Sequence, residues 1–200
     1  MTDHLEPPMF DPGDAAAAAL RFAERAAAEA DVAYAVIDSP IGALVAAATP
    51  RGLARLAYED YNGGVDNVLD ALAVKLSPRI VEAPKRLDAV RRELDEYFAG
   101  RRTAFDLDVD WSLYTPFGEK VLRATAQIPF GEISTYGEVA TRAGNPKASR
   151  AAGRALGANP IPIVIPCHRV IGTNGRLVGY AGGLERKEKL LEIEGVMLSS

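Results

Sequence analysis

The sequence predicts an α/β chain in two parts: a small antiparallel sheet with helices, then a mostly α segment carrying a helix-turn-helix. Three observations carry this. Strand-like runs at Val32–Asp38, Ala43–Ala48 and Leu53–Tyr58 are separated by turn sequences. From residue 115 the pattern changes to short helical periods joined by glycine and Asn-Pro breaks. Charge divides the chain at the same place: residues 1–114 hold 12 Lys/Arg against 20 Asp/Glu, and residues 115–200 hold 11 against 7.

A Pro-rich tail leads into an Ala-rich helix from about Asp14 to Glu29. The three strands follow as a meander, punctuated by Ser39-Pro40-Ile41-Gly42 and Thr49-Pro50-Arg51-Gly52, whose Pro and Gly residues favour turns. Helical spacing of apolar residues returns at Val65–Leu76 and at Pro84–Ala99, the second stopped by Gly100. Asp106–Tyr114 is acidic and without helical period, which makes it a linker. This divides the chain into a tail and helix (1–30), an N-terminal domain (31–105), the linker (106–114) and a C-terminal domain (115–200).

In the C-terminal part, Thr115-Pro116 opens a helix through about Gln127. Thr135-Tyr136-Gly137-Glu138 is a capping-box pattern, in which the Thr hydroxyl caps a backbone N–H and the Glu side chain reaches back. That helix ends at Gly144, Asn145-Pro146 makes the break, and a second helix runs from about Lys147 to Leu156. Two short helices with a four-residue break suit a helix-turn-helix. A last helix spans about Leu184 to Glu194.

Composition narrows the function. With 48% hydrophobic and 25% charged residues in 200, the chain is an ordinary globular protein rather than a disordered or fibrous one. The single cysteine, Cys167, excludes an internal disulfide and any thiolate zinc cluster, and two histidines (His4 and His168) are too few for a His-rich metal site. The acidic start lacks the basic region of a signal peptide, and no apolar run is long enough to span a bilayer. The sequence therefore predicts a cytoplasmic protein with a reduced thiol, no membrane partner, no metal and no cofactor. The net charge of −4 hides a basic stretch: residues 136–180 hold six Arg/Lys against Glu138 alone.

Several residues stand out chemically. Arg150 and Arg154, four apart, share a helix face among Ala148, Ser149, Ala151, Ala152 and Gly153. Small neighbours let such a helix approach a groove while arginines reach phosphates or bases; a packed Ala-rich helix with two solvated arginines fits the same pattern. Asn159 to Val170 joins an apolar run to Cys167 and His168, with Pro162 and Pro166 forbidding a regular strand ladder. A thiol needs a base or positive field to become nucleophilic. In a strand His168 would face away from Cys167, so it assists only if the backbone turns or a water bridges the two. On the last helix Glu194 falls on the inward arc with Leu190, Leu191 and Lys187, where a buried carboxylate needs a partner such as an imidazole. Gly179-Tyr180-Ala181-Gly182-Gly183 is a loop whose glycines allow backbone amides close to a ligand, or simply a connection into that helix.

Pro166-Cys167-His168-Arg169-Val170, with Asn159-Pro160 upstream and Gly179-Tyr180-Ala181-Gly182-Gly183-Leu184 downstream, resembles the O6-alkylguanine-DNA alkyltransferases, the methylated-DNA–protein-cysteine methyltransferases. The resemblance covers residues 115–200 closely and extends loosely back to about residue 32. It implies a ribonuclease-H-like N-terminal domain and a winged helix-turn-helix-like C-terminal domain. It implies Cys167 as alkyl acceptor, His168 as base acting through water, and Glu194 as the carboxylate orienting it. Tyr136 would contact phosphate and help protonate the leaving guanine. Arg150 would fill the gap left by the extruded nucleotide, beside Ala151 and Arg154 on the DNA-facing helix, and Asn159 would tie that motif to the cysteine segment. Tyr180, Ala181, Val170 and Leu156 would border the base.

The implied partner is double-stranded DNA containing alkylated guanine, met by a monomer or by several copies bound cooperatively. The implied reaction is a single transfer from O6-alkylguanine or O4-alkylthymine to Cys167. A base inside a duplex must first be flipped out, at a few kcal/mol for unstacking. The metal ligands some relatives carry have no counterpart here, and residues 1–30 have no family role. A non-catalytic sensor of alkylated bases would carry tryptophan in place of Cys167, a transcription factor would not need the Pro-Cys-His-Arg block, and a cysteine hydrolase would need a remote histidine and an oxyanion site.

Overall fold

The computed structural model describes residues 12–197; His4, the rest of the tail to residue 11 and the last three residues lie outside the described residues. Helix α1 (Pro12–Glu29) is largely exposed. The Arg86 guanidinium donates to the carbonyls of Ala27 and Ala30 at 3.0 and 3.2 Å, satisfying acceptors that a helix end leaves free.

Strands β1 (Val32–Ile37), β2 (Leu44–Thr49) and β3 (Gly52–Tyr58) form the antiparallel meander expected from the sequence, with Val36 opposite Val45 and Ala46 opposite Leu56. Helix α2 (Val65–Lys75) crosses over to a fourth strand, β4 (Ile80–Glu82), which pairs parallel to β1. The sheet is therefore mixed, in the order β3-β2-β1-β4. A three-residue strand between Pro78 and Pro84 has too little length to show a period, which is why the sequence did not reveal it.

Alternation along the strands gives the sheet two buried faces. Val32, Val45, Ala47 and Ala57 pack with Val68 and Leu72 of α2. Ala35, Ile37, Leu44, Ala46, Leu56 and Tyr58 face the other way, toward Leu94 and Tyr97 of helix α3 (Asp88–Phe98). That second cluster continues without a break into the C-terminal part through Val121, Leu122, Ile161, Ile163, Ile165 and Cys167. Each large side chain truncated to Ala in such a core costs about 2–5 kcal/mol.

Residues 106–114 are bound along β3: Leu53 donates to Asp108 O at 2.8 Å, Asp110 donates to Leu53 O at 2.9 Å, and the Asp110 carboxylate accepts from Thr49 and Arg51. Leu56 N also donates to Pro160 O at 2.8 Å, so the β3 edge is closed by chain that leads into the cysteine segment.

Helix α4 (Pro116–Ala126) starts with Thr115 Oγ1 accepting from Gly118 N. The two-residue strand β5 (Ser134–Thr135) leads into α5 (Tyr136–Arg142), whose capping box is present as the sequence predicts. At its end Gly144, with φ 87°, donates to Thr141 O while Asn145 N reaches Ala140 O. That paired closure needs a left-handed residue, which only glycine adopts cheaply. Helix α6 (Ser149–Gly157) completes the helix-turn-helix. Strand β6 (Val170–Ile171) pairs parallel with β5 and sets the segment after Cys167 against the start of α5. Helix α7 (Leu184–Ile193) closes the domain.

Candidate active site

The prolines and Asn159 shape the cysteine segment. Asn159 Oδ1 accepts from Ile161 N at 3.0 Å, while its Nδ2 donates to Ile165 O at 2.9 Å and to Cys167 Sγ at 3.2 Å. Between these anchors the chain turns tightly. Val164 N bonds to Pro162 O around Ile163, a β-branched residue at φ 73°, which is a strained conformation worth about 1–3 kcal/mol. Cys167 N then bonds to Ile165 O around Pro166, whose φ −79° and ψ 62° make an inverse γ-turn. Cys167–Arg169 forms a single turn of 3-10 helix. The backbone thus turns where a strand would have sent His168 away from Cys167.

His168 is fully buried, and its Nε2 lies 2.8 Å from Glu194 Oε1. Glu194 is held at the end of α7 by a closed C-cap: Gly195, with φ 75°, donates to Glu192 O and Val196 N to Leu191 O. Burial alone would raise the Glu194 carboxyl, but hydrogen bonds from His168 and Arg169, with the charge of Arg169, outweigh it and hold it at about 2. An ionised carboxylate only accepts, so His168 Nε2 carries the proton it donates to Glu194. Burial, the largest influence, lowers the His168 pKa, which favours the neutral ring at pH 7. Nδ1 is then the basic nitrogen, and it has no hydrogen-bond partner among the described residues.

Two further groups converge on Glu194. Arg169 forks onto it, with Nε 2.8 Å from Oε2 and Nη2 2.9 Å from Oε1. Tyr97, from α3 of the N-terminal part, donates its hydroxyl to Oε1 at 2.7 Å. A fifth donor, Gly131 N, lies 3.3 Å from Oε2. The sequence marks Tyr97 only as part of the inward face of α3, with Val90, Glu93 and Leu94 at helical spacing. Nothing in that pattern shows what its hydroxyl meets.

Cys167 is 5% exposed, and burial pushes its thiol up to about 11. The Asn159 amide and the positive charge of Lys187 pull in the other direction. Lys187 is fully buried on the inward arc of α7 and donates to Val170 O at 2.6 Å and Val178 O at 3.0 Å. Burial brings its own ammonium down to about 8.

The phenols of Tyr58, Tyr136 and Tyr180 are all raised, chiefly by burial. Tyr136 is half-buried at the first position of α5 and donates to Val178 O at 3.0 Å. Val170 and Leu156 lie buried in the main core, Tyr180 is buried, and Ala181 is partly open. Arg150 and Arg154 point from the exposed side of α6, and Ala151 is partly exposed beside them. The structure therefore gathers Cys167, His168, Glu194, Asn159 and Tyr180 in one buried cluster. The two arginines stay outside it, on the adjoining surface. Among the described residues no three His, Cys, Asp or Glu side chains converge to hold a metal, and no helix is long and apolar enough to cross a membrane.

Comparison with known proteins identifies the family. The model of the 6-O-methylguanine DNA methyltransferase DNA binding domain matches residues 116–196, and that of the same family's ribonuclease-like domain matches residues 32–111. The chain belongs to the 6-O-methylguanine DNA methyltransferase family. It is 43% identical over 162 residues to the methylated-DNA–protein-cysteine methyltransferase of Methanosarcina acetivorans, spanning 81% of this chain and 97% of that relative. Identity to the Mycolicibacterium paratuberculosis protein of the same name is 40%, over 82% of this chain and 92% of the relative. The crystal structure of Mycobacterium tuberculosis OGT in complex with DNA superposes with a TM-score of 0.71 at 39% identity, covering 82% of this chain and 93% of that one. Within the family the chain is an enzyme, a cysteine methyltransferase of the DNA-repair class, built from a ribonuclease-like domain and a DNA-binding domain. Helix α1 precedes both matched domains.

Proposed function

We propose that this methyltransferase reverses alkylation damage by moving the alkyl group of O6-alkylguanine, and of O4-alkylthymine, in duplex DNA onto its own Cys167. The observation that carries this is the Cys167–His168–Glu194 cluster, in which an ionised Glu194 fixes the tautomer of His168, the residue after the cysteine in one tight turn, and leaves its Nδ1 basic. At about 11 the thiol is a poor nucleophile on its own, so it needs that base.

In the step, Cys167 Sγ forms a bond to the alkyl carbon while the bond from that carbon to guanine O6 breaks. The thiol proton passes to His168 Nδ1 through a water. Tyr136 supplies a proton to the guanine ring nitrogen, which makes the base a neutral leaving group. The proton held by His168 then returns through water to the Tyr136 phenolate, so overall one proton moves from sulfur to guanine, and Asn159 and Lys187 stabilise the sulfur's transient negative charge. The thioether has no partner in the site able to cleave it, so each molecule acts once.

The basic stretch over residues 136–180 supplies the surface for DNA. Helix α6 enters the groove, Arg150 occupies the space of the flipped nucleotide, and Arg154 and Ala151 contact the duplex beside it. Tyr180, Ala181, Val170 and Leu156 border the extruded base. The protein works as a monomer in the cytoplasm, with residues 31–105 and 115–200 as its two domains. That the related mycobacterial structure holds DNA supports this assignment.

The test is the mass of the intact protein after incubation with duplex DNA containing O6-methylguanine. A gain of one CH2, located on the peptide with Cys167 and absent in Cys167→Ser, is the expected result. No gain, or a gain elsewhere, contradicts the proposal.

A further inference from the structure

The carboxylate that fixes His168 is shared with a residue of the N-terminal domain. Glu194 Oε1 accepts from three side chains: Tyr97 Oη at 2.7 Å, His168 Nε2 at 2.8 Å and Arg169 Nη2 at 2.9 Å. Oε2 accepts from Arg169 Nε at 2.8 Å and Gly131 N at 3.3 Å. An ionised carboxylate offers about four lone-pair directions, so five donors compete for its charge. Tyr97 makes the shortest of the five bonds.

The Tyr97 hydroxyl is aimed at that oxygen. The residue is fully buried on α3. Its ring meets Phe98 and Phe130 edge to face, with centroids 5.3 and 6.1 Å away, and lies tilted 5.4 Å from Phe105. Phe98 ends α3, whereas Phe130 comes from the C-terminal domain, where the Arg169 guanidinium sits 5.9 Å over its ring. Both domains therefore grip the Tyr97 ring. Burial and the Glu194 charge raise its phenol, so it keeps its proton and donates.

We propose that Tyr97 is a positioning residue for the transfer: its hydroxyl takes up part of the Glu194 charge and so limits how tightly the carboxylate holds the His168 Nε2 proton. This rests on the alkyl transfer proposed above, in which His168 Nδ1 must be free to receive the thiol proton. A carboxylate with fewer donors stabilises the imidazolium more strongly, and a base already protonated cannot act. Tyr97 thereby keeps His168 neutral to lower pH. The other groups around the imidazole are Glu194 and Lys187 of α7 and Cys167 and Arg169 of its own turn. Glu194 at about 2, Lys187 at about 8 and Cys167 at about 11 each hold one charge state while His168 titrates below its ordinary 6.5. Arg169 stays charged throughout.

The experiment compares the parent, Tyr97→Phe and Tyr97→3-fluorotyrosine, each with His4→Gln so that one imidazole remains. One readout is the NMR resonance of the His168 Nε2 proton at pH 7. The other is the pH dependence of methyl transfer from duplex DNA containing O6-methylguanine. Tyr97→Phe should move the resonance downfield, as a stronger hydrogen bond does. It should also raise the acidic edge of transfer by about one pH unit, so that transfer below both edges is about tenfold slower than in the parent. The fluorinated phenol is more acidic and a stronger donor, so it should move both readouts the opposite way, and it decides the matter if Tyr97→Phe does not fold. A resonance or an edge that stays in place in folded variants overturns the role of Tyr97, since a packing defect alone lowers stability and moves neither. A parent that transfers no methyl group at any pH overturns the alkyl-transfer proposal, and this inference with it.

Discussion

Replacing Glu194 with glutamine should destabilise the protein in a pH-dependent way. The carboxyl is held at about 2 against an ordinary 4.5. At about 1.4 kcal/mol per pH unit, that depression corresponds to about 3 kcal/mol of folding free energy at neutral pH. Because the folded-state pKa lies below the unfolded one, the contribution is complete above 4.5 and fades as pH falls toward about 2. Glutamine cannot carry the charge, and it leaves Arg169 forked onto a neutral amide in a buried site. Breaking one side of a buried pair costs about 3–5 kcal/mol. Urea unfolding of the parent and Glu194→Gln should therefore differ by about 3–5 kcal/mol at pH 7 and by progressively less from pH 4.5 downward. A difference that stays constant over that range would refute the electrostatic account and leave only a packing defect.

Three other outcomes are expected. Cys167 should react with a small neutral alkylating agent slowly at pH 7, its rate climbing to a plateau near the thiol pKa of about 11; a plateau below pH 8 would show that the thiolate is already formed. Arg150→Ala should slow transfer from duplex DNA far more than transfer from free O6-benzylguanine, and equal losses on the two substrates would count against a role in base extrusion. Thr135→Ala removes the oxygen that caps Glu138 N and should lower stability by about 1 kcal/mol in thermal unfolding, with no change at all arguing that the capping box is not formed in solution.

Local rules revealed those parts of the fold that local chemistry dictates. The meander, the capping box at Thr135 and the stop at Gly144 depend on residues within a few positions of each other, and all three are present. Strand β4 depends on pairing with β1 some 48 positions earlier, across the whole of α2, and so left no local trace. The same holds for residues 106–114, whose acidic, aperiodic sequence gives no sign that Asp108 and Asp110 bond to Leu53.

The site divides in the same way. Adjacent positions showed Cys167 and His168, and helical phase placed Glu194 and Lys187 inward, as the structure has them. What helical phase cannot show is the bond from Tyr97 to Glu194, or that from Tyr58 to Tyr180, because each joins side chains about 100 residues apart across two domains. The turn at Cys167 was foreseeable only as a condition. It is met because Pro162 and Pro166 deny the segment a ladder, and Asn159 supplies the bonds that hold it folded.

The claim that Cys167 is itself the acceptor, consumed in the reaction, is tested most directly by titration. A fixed amount of protein is given a large excess of duplex DNA containing O6-methylguanine, and repaired guanine is counted against time. The account predicts a rise to one repaired base per protein molecule and no further. Continued repair beyond one equivalent would contradict it.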